Sequence, residues 1–408
     1  MQKINPGNQK TLAFFSWPIG AWLIWRLGLI LIGLGASFWL PYRPSFPYFD
    51  SLLPGFGWPQ WFYSWANFDG VHYLTIAAKG YLGTGLIQAF FPVYPIIVGL
   101  ISRVTQLDLM MSGWWLNQLL SLILVCLLWF WWRTKFGITA ARWGLVWWLV
   151  FPTSFFLGSF YSESLYICLA LGSWLMAKKG SWGAAALLAA LASGTRIIGF
   201  WLLPMLGLEL LSQTYPQLQL LSLTNFLVWV KREKRHLLLL LLSLGGLVAY
   251  MGYLQLTFQD ALYFLHQQSE FGAGRQEALI WWPQVIWRAS KILLTARPFD
   301  WKYLTYVQEL VFGVGSVLLV FWGWWQRKTT QLTTPLAVYS LGCLLMPTLT
   351  GTFSSLPRYV LAAWPMWLSL ISLSTQPEFR WVKWLALAIS LTFLIINTSL
   401  FIQGYWVA

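Results

Sequence analysis

Long apolar runs alternate along the chain with short polar breaks marked by glycine, proline or charge. A membrane-crossing helix needs about 20 apolar residues, within a range of about 17–25. The runs 18–40, 112–132, 139–158, 161–177, 237–256, 305–325, 333–350, 359–375 and 384–404 meet that requirement. The run 181–212 is long enough for one tilted span, but Ser193, Gly194, Thr195 and Arg196 interrupt it. An arginine at a bilayer centre costs about 3 kcal/mol or more. The pattern therefore predicts two short helices meeting at 194–196, which puts the arginine at an interface or cavity. The fold class is all-α and polytopic, with about eleven transmembrane helices.

Composition agrees. The 408 residues are 58% hydrophobic and 9% charged, with mean hydropathy +0.62. Soluble domains carry about 25% charge, so this chain has too little polar surface to cover a globule in water. Its 31 tryptophans suit membrane–water interfaces, where one ring edge is wet and the other apolar. The three cysteines, Cys126, Cys168 and Cys343, each lie in an apolar run with no CxxC or Cys/His cluster, so neither disulfides nor zinc are predicted. The first run, from Trp17 to Leu40, is too long for the apolar region of a cleaved signal and lacks a small-residue cleavage site.

The net charge of +14 sorts the breaks by side. Basic residues cluster at Lys3/Lys10, Arg133/Lys135/Arg142, Lys178/Lys179, Lys231/Arg232/Lys234/Arg235, Arg327/Lys328 and Arg380/Lys383. Short basic clusters between apolar runs mark cytoplasmic loops, not a nucleic-acid surface. All face the cytoplasm together if 181–212 crosses twice and 89–106 is a re-entrant or surface helix. The N-terminus is then inside and the C-terminus outside. Residues 41–88, 161–164, 194–196, 257–304 and 351–359 fall on the outer side. The chain reads as one integral membrane domain, 1–408. A first external loop, 41–111, carries interfacial or re-entrant helices, and 257–304 forms a second.

Twelve carboxylates are few enough to weigh singly. Glu233 and Glu378 sit among cytoplasmic basic residues and read as solvated; Asp108, Glu209 and Glu309 lie near span ends. Asp50, Asp69, Glu163, Asp260, Glu270, Glu277 and Asp300 are on the outer side. Either Asn67 or Asp69 caps a helix over 70–79, or Asp69 acts as a general base, with His72 three residues on along the same helical face. Glu163 either complements a helix dipole or binds a polar ligand at the membrane surface. Arg196 and Arg358 either snorkel to headgroups or clamp a phosphate with their planar forks. The stretch 90–95, with Tyr94, is either an interfacial aromatic belt or a wall for a sugar or lipid chain. Gly272-Ala273-Gly274-Arg275 reads as a turn.

Five strings occur in order: FDGVHYLTIAAKGY (68–81), AFFPVYP (89–95), YSESLY (161–166), SGTRIIG (193–199) and SSLPRYVLAAWP (354–365). The set resembles the PIG-V-like mannosyltransferases, polytopic enzymes of the GT-C superfamily whose eukaryotic members add the second mannose of the GPI anchor. The resemblance spans roughly residues 60–200 and 345–366. It implies an inverting transfer of a sugar, mannose by family, from a polyprenyl-phosphate donor to a hydroxyl of a glycolipid or glycan on the outer membrane face. Asp69 matches the acidic residue of the first external loop and would take the acceptor proton. His72 would orient it or the sugar. Arg196 and Arg358 would bind the lipid-phosphate leaving group, while Glu163, Tyr94 and Tyr359 line the sugar pocket. The first loop has no DxD, so neither metal nor cofactor is expected. The short chain without lumenal insertions points to a bacterial plasma membrane rather than the ER. The rivals are a transporter or lipid flippase, which should bury paired charges at mid-membrane, and a non-catalytic homologue.

Overall fold

The computed structural model describes residues 6–44, 46, 49–81, 86–215, 222–272, 274–298 and 301–407, with the side chains of 6–15 and 223 left aside. Lys3, Ala273 and Asp300 lie outside the described residues, as does the side chain of Lys10. All regular structure among them is helical. Among the described residues, six helices are long and apolar enough to cross a membrane: Ser16–Ala36, Leu109–Phe136, Ile197–Thr214, Thr224–Phe258, Trp301–Trp325 and Pro377–Ile402. Val93–Thr105, Trp182–Ser193 and Thr334–Thr350 are shorter and apolar. The chain is an integral, multi-pass, all-α membrane protein.

The interrupted run behaves as its pattern predicts. Helices Trp182–Ser193 and Leu202–Thr214 are separated at Gly194 and rejoined through a tight turn, Ile197–Trp201. Two other runs are broken where their apolar character gave no sign. The run 139–158 is α-helical only over Ile138–Leu149, and Pro152 follows, ahead of a short 3-10 helix, Ser154–Gly158. Proline supplies no N–H and disfavours helix in the residue before it. The run 359–375 divides into Leu356–Ala362 and Trp367–Ser374, with Pro365 in the gap. By contrast, 237–256 is part of a longer element, the 35-residue Thr224–Phe258. At about 1.5 Å per residue this is about 50 Å, longer than the hydrocarbon core of about 30 Å. Its charged stretch, Lys231 to His236, lies in the half the apolar run leaves out. Glu233 there is buried rather than solvated, gripped by Arg232 at 3.0 Å and His236 at 2.9 Å.

The chain forms two compact units. The first comprises Met1–Val71, Met110–Ser164 and Trp367–Val407. Its core is built on indoles: Trp148 meets Trp132 and Trp367 edge-on, at centroid separations of 6.2 and 5.1 Å. Gly144 leaves room for Trp132 and Ile371, each 2.7 Å from where a Cβ would stand. Where Ile138–Leu149 stops, its backbone must be satisfied without water. The last long helix does this: Ser390 Oγ donates to Val150 O (2.9 Å) and Asn397 Nδ2 to Pro152 O (3.2 Å).

The second unit comprises His72–Leu109 and Leu165–Met366. Small residues let its helices approach closely, as in other membrane bundles. A Cβ on Gly246 would strike the carbonyl of Ala190 and the backbone of Gly194, and one on Gly342 would enter the Trp201 ring. Tyr166 and Tyr339 share a buried hydroxyl–hydroxyl bond of 3.0 Å, and Tyr339 also donates to Ala362 O at 3.1 Å.

Candidate functional site

The residues singled out from sequence divide between the units. Asp69 and Glu163 belong to the first; His72, Tyr94, Arg196, Arg358 and Tyr359 belong to the second.

In the first unit the strings 68–81 and 161–166 are stitched together by Tyr161. Its hydroxyl donates to Asn67 O (2.7 Å) and accepts the backbone N–H of Asp69 (3.2 Å). Between those atoms Phe68 turns the backbone with φ +59°, a conformation uncommon outside glycine that needs surrounding contacts to hold it. Asn67 is not a helix cap: its amide donates to Phe401 O (2.8 Å) and Ile402 O (3.2 Å). Asp69 itself opens the helix Asp69–Lys79 and is half-buried. Gly70 follows because Phe160 O and Ala66 Cβ lie 3.3 and 3.2 Å from where its Cβ would be. Glu163 opens Glu163–Lys178 and is fully buried at 1% exposure. Its carboxylate thus stands in the first turn, where the helix dipole favours a negative charge.

In the second unit the remaining strings form a chain of contacts. The His72 ring stacks on Phe90 (4.7 Å between centroids, 18° between planes), and Tyr73 meets Phe90 and Tyr94 edge-on at 5.3 and 5.0 Å. Tyr81 and Tyr250 hold this stretch by donating to Phe90 O (2.5 Å) and Gln88 O (2.6 Å). The helix Val93–Thr105 then starts with Val93 N–H donating to Gly194 O at 3.1 Å. Gly194 is needed there, since a Cβ would sit 2.8 Å from Val93 Cγ2. Two residues on, the Arg196 guanidinium lies over the Tyr359 ring, 5.0 Å from its centroid. Arg358 is buried beside it in sequence, on Leu356–Ala362. Thus 68–81, 89–95, 193–199 and 354–365 touch in succession.

Sequence reasoning assigned no site role to three positions. Tyr161 gave no signal beyond its motif. Arg26 is a buried cation within Ser16–Ala36, sandwiched between Trp65 and Trp114 with its guanidinium carbon 4.6 and 4.4 Å from their centroids. Glu309 is a buried carboxylate within Trp301–Trp325. An ionisable residue inside a span is itself a functional signal, and both were visible in that light. Among the described residues, no three of His, Cys, Asp and Glu come together in a way that could hold a metal ion. No protein-family model matches this chain, and no curated protein matches it either.

Proposed function

We propose that this protein is a lipid-linked-sugar glycosyltransferase of the GT-C kind, PIG-V-like, moving mannose from a polyprenyl phosphate to a hydroxyl of a glycolipid or glycan at the outer face of a bacterial plasma membrane. The observation that carries the reading is the succession of contacts just described. Five strings scattered over about 300 residues are joined through Tyr161 in one unit and through Phe90, Val93 and Tyr359 in the other. Loop segments that only connected spans would have no reason to seek each other out. The eleven-span topology belongs to the same proposal: it counts the shorter helices on each side of Gly194 as crossings and leaves Val93–Thr105 re-entrant.

The chemistry suits the residue types. The acceptor oxygen attacks the anomeric carbon as its proton passes to the Asp69 carboxylate. The bond from that carbon to the phosphate oxygen breaks, and its electron pair leaves with the polyprenyl phosphate. Phosphate is a stable anion, so the fixed guanidinium groups of Arg196 and Arg358 assist its departure electrostatically. His72 orients Asp69 or the sugar; Glu163, Tyr94 and Tyr359 contact the sugar.

The test is Asp69→Asn in purified, reconstituted protein supplied with polyprenyl-phosphate mannose, glucose, galactose or arabinose. Loss of transfer with an unchanged melting profile supports the base assignment; full activity sinks it. A second reading, a lipid transporter or flippase, draws on Arg26 and Glu309, both buried charges inside membrane-length helices. It predicts lipid movement without any new glycosidic product.

A further inference from the structure

The turn that carries Arg358 is built in an unusual way. Ser355, just before Leu356–Ala362, has φ +66° and ψ 5°. A serine in the left-handed region stays there only when its surroundings hold it. Two groups do so within the second unit. From the membrane helix Trp301–Trp325, the Glu309 carboxylate accepts the Ser355 backbone N–H at 3.2 Å. One turn further along that helix, Gly313 makes room for the same segment, with Leu356 Cδ2 and Phe353 Cδ1 at 2.7 and 3.2 Å from its missing Cβ.

From the external segment, Arg275 Nη2 reaches Ser355 Oγ at 3.5 Å, while its Nη1 donates to Gln268 Oε1 at 3.1 Å and its guanidinium lies over Phe271. Gly272 and Gly274, with φ +67° and +74°, turn the chain into this position. The segment is fastened beyond it by Gln276 N–H on Thr350 O and Ile280 N–H on Leu349 O, both 2.8 Å. The turn closes with Arg358 N–H donating to Ser355 O at 3.1 Å.

A carboxylate buried at 3% exposure in a membrane helix is costly to keep. Its place against the one strained residue before the Arg358 helix gives that cost a purpose. We propose that Glu309 is a positioning residue: it fixes the Ser355 turn, braced from outside by Arg275, so that the Arg358 guanidinium is held ready for a lipid phosphate. This rests on the reading above only in taking Arg358 as a phosphate ligand.

The experiment measures binding of a long-chain polyprenyl monophosphate to the full-length protein by native mass spectrometry. Losing a hydrogen bond to a charged group predicts roughly tenfold weaker binding for Glu309→Ala, with Arg358→Ala weakened at least as much. Glu309→Gln keeps a carbonyl acceptor and stays within about threefold of wild type. The double variant E309A/R358A binds no worse than R358A alone, because Glu309 acts through Arg358. A general loss of structure would not give that non-additivity or the glutamine rescue. If E309A does not fold, Glu309→Asp, which withdraws the oxygen by one methylene, takes its place in the same cycle. Wild-type binding by E309A, or a loss that adds to that of R358A, overturns the inference. Wild-type binding by R358A overturns instead the assignment of Arg358 to the phosphate.

Discussion

The hydroxyl of Tyr161 holds the backbone N–H of Asp69 at 3.2 Å across 92 positions of chain, and the same oxygen donates to Asn67 O at 2.7 Å. One phenol thus fixes both ends of the left-handed step at Phe68 that delivers Asp69 to the start of its helix. Tyr161→Phe keeps the ring packing and removes both bonds, leaving a buried carbonyl unpaid at about 1–3 kcal/mol. The expected result is a melting temperature lowered by a few degrees and, on the proposed function, a fall in sugar transfer greater than the stability loss explains. Transfer at the wild-type rate would show that the tether is merely structural.

The glycines of the helix Gly245–Phe258 separate close packing from open surface. Gly246 lies against the Ala190 carbonyl, whereas no described residue comes within 4 Å of the Cβ position of Gly252. Gly246→Ala must therefore push two helices apart, at about 1–3 kcal/mol or more. Gly252→Ala meets no atom and gains up to about 1 kcal/mol of helix propensity. Thermal unfolding in one detergent compares the two, and equal effects would refute the interhelical contact.

Much of the architecture was legible in the pattern of apolar runs because a bilayer tolerates few alternatives. The break at Gly194–Arg196 could be read since both glycine and arginine interrupt a helix's apolar face. The early end of Ile138–Leu149 was marked only by Pro152, inside a run that Phe151 and Phe155 keep apolar although the α-helix has stopped. What makes the stop tolerable is Ser390 and Asn397, more than 200 positions away. The candidate site divides in the same way. Asp69, Glu163, Arg196 and Arg358 stood out as charges at polar breaks. Tyr161 and Glu309 bond to backbone atoms of distant residues, a relation no local spacing shows, although Glu309 itself is visible as a carboxylate in an apolar run.

Asp260 and His266 form a close pair. His266 Nδ1 lies 2.6 Å from Asp260 Oδ2, and Leu262 N–H donates to Asp260 Oδ1 at 2.9 Å. The bond with His266, with help from the Leu262 amide, holds the Asp260 carboxyl below its ordinary range. A carboxyl depressed in the folded state stabilises above its unfolded pKa, about 3.9 for aspartate. That contribution is lost as pH falls through the depressed value. Amide exchange at Leu262, corrected for intrinsic rates, should lose protection below about pH 4. Asp260→Asn should flatten that profile, and a profile that is the same with and without the carboxylate would refute the linkage.

Arg26 poses the last question, since a cation between two indoles in a membrane helix could be either ballast or a working part. Its guanidinium is stacked with centroid distances of 4.6 and 4.4 Å to Trp65 and Trp114, and all three of its nitrogens are buried without a hydrogen-bond partner among the described residues. Stacking on two rings contributes about 1–2 kcal/mol or more when desolvated, but burying the charge costs several. Arg26→Met, which fills similar volume without charge, should melt at or above the wild-type temperature. Arg26→Lys keeps the charge and loses the planar stack, so it should melt lower. The opposite order would mean that the charge itself stabilises the fold. A stabilised Arg26→Met that no longer transfers sugar would place Arg26 among the residues retained for function at the expense of stability.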